Sequence, residues 1–279
     1  MAGDDRVFDV LAPQVRQVDP DRYFAGLFAP EAARRHLFAL YAFNHEVARA
    51  AETVREPMLG QIRLAWWREL VEGARAGTPR SHDIARALAA VLKAHDLPRA
   101  LFDALIEARE FDVSDEIFAD MGVLEAYVDA TSGNVMRLAA RILGPGDANE
   151  ELARSAGLAY GLTGVLRALP HHALKKKLYL PRDLVESEQL APETVFAGHG
   201  GDALARVVYA VALRARRHFA DARDLRLPKQ TAAAFLPAAL VPLYLRRLAR
   251  AGFDPFRLTD VTIHRRQMRL LSASLRGRV

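Results

Sequence analysis

The sequence contains no cysteine. Disulfides, thiolate metal centres and a cysteine nucleophile are therefore excluded, and a reducing compartment is compatible with the chain. No alternating apolar and polar pattern runs longer than four residues, so no strand is predicted. There is no internal repeat and no low-complexity tract. The first residues, MAGDDRVFDV, hold acids and no apolar centre, unlike a signal peptide or an Arg-rich transit peptide. The longest uncharged apolar run, Ala232 to Leu245, is shorter than the ~20 residues that span a bilayer and contains Pro237 and Pro242. These absences predict a soluble or peripheral protein. A local absence is more telling: no carboxylate occurs between Glu151 and Asp183.

What is present is an ordinary globular balance, with 51% hydrophobic and 26% charged residues over 279 positions. The net charge of +5 is spread along the chain, too diffusely to argue for nucleic-acid binding. Helical periodicity is nearly continuous. Helices are expected from Glu31 through Ala48, Met58 to Ala76, Ser81 to His95, Pro98 to Phe111 and Gly122 to Leu143. Further ones are expected around Leu204 to Phe219, from Gln230 to Ala251 and beyond Leu258, with a loop over Arg182 to Gly201. Gly157 to Pro181, GLAYGLTGVLRALPHHALKKKLYLP, starts as a helix rich in small residues, a composition that allows close approach by another helix or a ligand. Pro170 should end or kink it. The expected architecture is a single all-α domain over 1–279, with 1–18 and 277–279 disordered and any ligand site between facing helices.

Four separated stretches then resemble the squalene and phytoene synthases, which condense two prenyl diphosphates head to head. They are RYFAGLFAP with RRHLFALYAF (Arg22 to Phe43), IRLAWWREL (Ile62 to Leu70), YVDATSGNV (Tyr127 to Val135) and GLAYGLTGVLRALPHH running on to YLP (Gly157 to Pro181). The resemblance implies an isoprenoid-synthase-type helical bundle with a central cavity, lined here by Tyr41, Phe43, Trp66, Tyr127, Gly133, Gly161 and Gly164. It also implies magnesium held by two aspartate-rich motifs. The first would fall on Ala48, Arg49 and Glu52, and the second on Ala168 and His172; only Glu52 is a carboxylate. A hard cation has almost no oxygen ligand left. No cofactor is therefore expected, and Mg²⁺ enters only if the chain is an active prenyltransferase.

The same departures resemble a divergent branch of that family, the assembly factor of respiratory complex I (NADH:ubiquinone oxidoreductase) and its bacterial relatives. AFN at Ala42 to Asn44, LRALPHH, and PLYL at Pro242 to Leu245 carry this likeness. It implies a non-catalytic or catalytically altered protein whose partners are complex I subunits or other assembly factors. Such a protein would sit in the cytoplasm or at the inner membrane, on the matrix side in a eukaryote; the acidic N-terminus and Ala/Arg-rich composition fit a bacterium better. An isoprenoid or phospholipid ligand would meet Asn44, His45, Arg167, His171, Lys175, Lys177, Tyr179 and Arg182. Each has a bland counterpart: helix–helix hydrogen bonding for Asn44 and His45, a solvated loop for the lysines and histidines, and plain core for the aromatics. The C-terminal IHRRQMRLLSASLRGRV reads either as a membrane- or partner-binding helix or as a frayed basic tail.

Overall fold

The computed structural model describes residues 2–50, 56–114, 116–144 and 150–279, with backbone alone for 2–5. Glu52 lies outside the described residues. The helices in order are α1 (Ala2–Val18), α2 (Pro20–Gly26), α3 (Glu31–Arg49), α4 (Pro57–Arg75), α5 (Asp83–Ala94), α6 (Arg99–Ala108), α7 (Glu110–Val113) and α8 (Met121–Val128). After a π-helical turn at Asp129–Gly133 come α9 (Asn134–Leu143), α10 (Glu150–Leu174), α11 (Arg182–Ser187), α12 (Pro192–Phe196) and α13 (Asp202–Asp224). The chain ends with α14 (Ala232–Phe235), a 3₁₀ turn at Leu236–Leu240, α15 (Val241–Arg250), a second such turn at Pro255–Arg257, and α16 (Ile263–Arg276). No strand occurs among the described residues.

Several expectations need correction. Residues 2–18 are helical, and α1 buries Val7, Phe8, Leu11 and Val15. The extreme C-terminus is also tied down: the Leu227 N–H donates to the Gly277 carbonyl at 3.0 Å and Val279 is buried. Helix α10 runs through Pro170 for another turn, so His171 and His172 are helical. A proline inside a helix removes one donor and strains the preceding turn, yet Leu169 and Ala173 are both buried here, and their packing holds the continuation. Arg182 to Gly201 contains α11 and α12, and α5 begins at Asp83 rather than at Ser81. Ala232–Arg250 is long and apolar enough to cross a membrane by length and composition, but 61% of that window is buried inside the fold.

α10 is the centre of the arrangement. It packs against α13, α8, α9, α15 and the π turn. One apolar cluster joins α1, α3 to α6, α9 and α14 to α16; a second joins the C-terminal half of α10 to α8, α11 and α13. The approach of α10 to the π turn is close enough to need glycine on α10. A Cβ on Gly157 would meet the Gly133 Cα at 2.5 Å, and one on Gly161 would meet Val128 Cγ1 at 2.4 Å. A Cβ on Gly164 would meet nothing within 4 Å, because that position faces the cavity.

The two kinds of glycine should respond oppositely to a methyl group. Gly157→Ala should lower the melting temperature, since its neighbour is backbone and cannot yield, whereas Gly164→Ala should raise stability by about 0.5–1 kcal/mol from helix propensity; thermal melts of both variants check the contrast. A second expectation concerns His36, whose Nδ1 lies 2.9 Å from His95 Nε2, with the Phe8 ring beside it. Burial first, then His95 and Arg35, push the His36 pKa from 6.5 down to about 4, and burial lowers that of His95. Both rings are neutral when folded, while the unfolded chain takes up protons below its ordinary histidine range. Stability should therefore fall as pH drops from 6.5 toward about 4. His36→Leu should flatten that fall in urea titrations across the interval.

Candidate functional site

A cavity of about 760 Å³ opens between α2, α3, α8, α10, α16 and the π turn. That lies within the ~300–1,000 Å³ typical of ligand pockets. Two buried carboxylates organise its walls.

The first is Asp21. Asp19 caps α2 by accepting from the Arg22 N–H at 3.1 Å, with Pro20 at the first helical position. This sets Asp21 in the first turn, pointing inward and 3% exposed. Its Oδ2 accepts from the Tyr244 hydroxyl at 2.5 Å, and from the Tyr160 hydroxyl and Arg167 Nη1 at 3.4 Å each. Its Oδ1 accepts from Arg266 Nη1 at 3.0 Å. The Arg167 guanidinium also stacks 3.7 Å above the Tyr244 ring. Arg22 pairs with Asp19 at 2.8 Å and lies over the Tyr160 ring at 5.1 Å.

The second is Asp112. Its Oδ1 accepts from Tyr127 and Tyr179 hydroxyls at 2.7 and 2.8 Å, and its Oδ2 from Arg109 Nη1 at 3.1 Å. Arg109 also donates to the Tyr127 oxygen at 2.7 Å. Phe111 and Phe118 stack at 3.9 Å beside these tyrosines. Lys177 donates to the Ser114 carbonyl, and His172 lies over the Tyr179 ring at 4.3 Å. Burial, with Asp112, drives the Tyr179 pKa up, and burial with Asp21 does the same for Tyr244. These phenols stay protonated and act as donors. Burial alone would lower the pKa of Arg22 and Arg109, but Asp19 beside the first, and Tyr127 and Asp112 beside the second, hold both raised and charged.

The charge balance is positive. Among the described lining residues, six are cationic (Arg22, Arg109, Arg167, Lys175, Lys177, Arg266) and four are acidic (Asp19, Asp21, Glu56, Asp112). Three of the four lining carboxylates are held by arginines, which leaves Glu56 alone to offer oxygen, too little for a pair of magnesium ions. Ala48 and Ala168 face the cavity without an oxygen to offer, and Asp19, Asp21 and Asp112 are each engaged by an arginine. No group of three or more His, Asp or Glu able to hold a metal occurs among the described residues.

The structure brings Asn44, Ala48, Tyr127, Gly161, Gly164, Arg167, Ala168, His172, Lys175, Lys177 and Tyr179 to this one cavity. His45, Arg49, His171 and Arg182 are not among its lining residues. Arg49 is exposed and pairs with Glu46 at 3.2 Å. Four of the expected lining residues belong elsewhere. Phe43 is fully buried between Trp67 and Phe102, Trp66 packs on Trp67 and His82, and Gly133 is the contact point for Gly157. Tyr41 is buried core, with the Arg22 guanidinium 5.9 Å from its ring. The sequence reading missed Asp19, Asp21, Arg22, Arg109, Asp112, Tyr160, Tyr244 and Arg266. Some left a local signal: Asp19 and Pro20 form an Asp-Pro helix start, and Arg22, Tyr160 and Tyr244 fall within RYFAGLFAP, GLAYGLTG and PLYL.

The sequence pattern of the squalene/phytoene synthase family matches residues 15–269. The chain belongs to that family. Within it, the chain is 29% identical over 245 residues to complex I assembly factor 6 of Rattus norvegicus, covering 87% of this chain and 74% of that protein. It is 28% identical over 288 residues to a phytoene synthase of Cereibacter sphaeroides, covering 95% and 78%. Its fold matches the crystal structure of a squalene synthase from Alicyclobacillus acidocaldarius with a TM-score of 0.79 at 22% identity, covering 91% of this chain and 97% of that one. A dehydrosqualene synthase crystallised with a ligand gives 0.82 at 18% identity, over 99% and 97%.

The Asp21 cluster sets a stability prediction. Asp21→Asn leaves Arg167 and Arg266 without their shared counter-charge and should cost about 3 kcal/mol. Tyr244→Phe removes one donor among four and should cost about 1 kcal/mol. Denaturant unfolding of the two variants, compared with the unaltered chain, measures both.

Proposed function

We propose that this chain is a non-catalytic member of its family that supports the assembly of respiratory complex I, and that its cavity holds an isoprenoid diphosphate or another anionic lipid head group without metal. One observation carries the reading. The helix faces of α3 and α10 that meet across the cavity present Ala48 on one side and Ala168 and His172 on the other, while the cavity's Asp19, Asp21 and Asp112 are occupied by arginines. Magnesium would need carboxylates not already engaged, whereas a phosphate group needs donors, which Arg and Lys supply as charge-assisted hydrogen bonds. The likeness to complex I assembly factor 6 over 87% of the chain supports this cellular role. The work would be done beside the membrane in which the complex is built, on the cytoplasmic face in a bacterium or the matrix face in a mitochondrion.

The competing reading is an active head-to-head prenyltransferase, which the phytoene synthase likeness over 95% of the chain favours. A deletion strain and a purified-protein assay separate the two. Loss of the gene should deplete assembled complex I on native gels, with rescue by the intact gene. The purified chain should release no pyrophosphate from farnesyl diphosphate with Mg²⁺, yet should melt at a higher temperature with farnesyl diphosphate in the presence of a chelator. Normal complex I in the deletion strain overturns the assembly role, and pyrophosphate release overturns the non-catalytic reading.

A further inference from the structure

The outward face of α16 is separate from the cavity and carries an arrangement of its own. The inward face of this helix is fully engaged. Arg266 reaches Asp21, Leu270 and Ala273 are buried, and Arg269 Nε donates to the Ala239 carbonyl at 2.8 Å. On the opposite side Met268, Leu271 and Leu275 succeed one another at helical spacing and form one stripe. They are 51%, 41% and 80% exposed. From Ile263 to Val279 there are five arginines and no acid. Arg276 and, from α15, Arg246 crowd Arg269; burial first and then these two neighbours lower its pKa. The helix thus presents a continuous aliphatic stripe in a field of one sign.

An outer helix face in water ordinarily carries mixed charge and few large apolar side chains. A stripe of Met and Leu flanked by arginines has instead the composition of a helix lying in a membrane interface. The charge selects the lipid. An anionic leaflet attracts each Lys or Arg near its surface. A second copy of the chain would set Arg265, Arg276 and Arg278 against the same three arginines, which like-charge repulsion opposes. We propose that α16 docks in the plane of an anionic lipid bilayer, with Met268, Leu271 and Leu275 entering the acyl boundary and Arg265, Arg276 and Arg278 at head-group level. The Arg266–Asp21 pair and the Arg269–Ala239 bond hold the helix rigid from within. The stripe is therefore already oriented before contact, and little ordering is lost on docking. This inference stands apart from the reading of the cavity.

Sedimentation of the full chain with vesicles tests it. The protein should pellet with phosphatidylcholine vesicles containing about one-third phosphatidylglycerol, and not with phosphatidylcholine alone. Raising the salt should release it, since surface attraction is screened. The double variant Leu271→Gln/Leu275→Gln should bind about tenfold more weakly or worse, from the apolar area lost, with an unchanged melting curve because both side chains are exposed. Arg265→Glu/Arg278→Glu should lose binding to the anionic vesicles by a similar factor. Absence of binding by the unaltered chain, or undiminished binding by the leucine variant, overturns the proposal. So does a lipid-free dimer in analytical ultracentrifugation that the leucine variant converts to monomer, since the stripe would then belong to self-association.

Discussion

A single buried carboxylate ties the ends of the chain to its centre. Asp21 sits on α2 and accepts from Tyr160 and Arg167 on α10, Tyr244 on α15 and Arg266 on α16. These contacts bridge as many as 245 positions of sequence. A carboxylate removed from water is costly unless its charge and lone pairs are met. Here two guanidinium groups and two phenols meet them together, so each of the four helices depends on the others for the placement of this one group. The cavity wall exists because the cluster is complete. Helices that contributed fewer donors would leave Asp21 to be hydrated, and the pocket would admit water at its floor.

The second constraint is backbone proximity. Gly157 and Gly133 bring α10 against the π turn with no side chain between them. A π turn inserts an extra residue into a helix and turns the faces of the next helical segment, often at a functional site. Here it joins α8 to α9 and carries Thr131 and Ser132 to the cavity wall, while Tyr127, near the end of α8, reaches Asp112. Thr131 returns its hydroxyl to the Tyr127 carbonyl at 2.8 Å, satisfying a group that the altered helical register loosens. The glycines that look wasteful for helix propensity are thus what allows two polar clusters and an open space to share one bundle centre.

The helical architecture was legible because its cause is local: apolar side chains recurring near a 3.6-residue period identify buried faces without knowledge of what they face. The α10 part of the site was legible for a different reason. Gly161, Gly164, Arg167, Lys175, Lys177 and Tyr179 lie close together in sequence and also belong to a motif with a known likeness. The carboxylate clusters were hidden because each is assembled from distant helices, and a lone Asp such as Asp112 looks like any surface acid until Tyr127 and Tyr179 are seen upon it. Aromatic spacing misled at Phe43 and Trp66, since core and cavity wall present the same periodicity. Pro170 misled because a rule about backbone donors was outweighed by the burial of Leu169 and Ala173 on either side of it.

The charge arrangement bears on turnover as well as on binding. Ionising a prenyl diphosphate requires charge stabilisation that grows as the leaving group departs; interactions equally strong before and during departure tighten binding without accelerating anything. Arg109 and Arg167 are fixed to internal carboxylates and aromatic rings. A guanidinium carries five donors, and Arg167 gives Asp21 one of them, so such a group can share an incoming phosphate without leaving its place. Under the metal-free reading, the cations would therefore meet the diphosphate of an intact lipid as a rigid cradle. As the carbon–oxygen bond stretched, the charge on the diphosphate would grow and fixed cations would attract it more strongly. Under the metal-free reading, retention without ionisation rests instead on Asp19, Asp21 and Asp112 being held by arginines and so unable to clamp magnesium on the diphosphate.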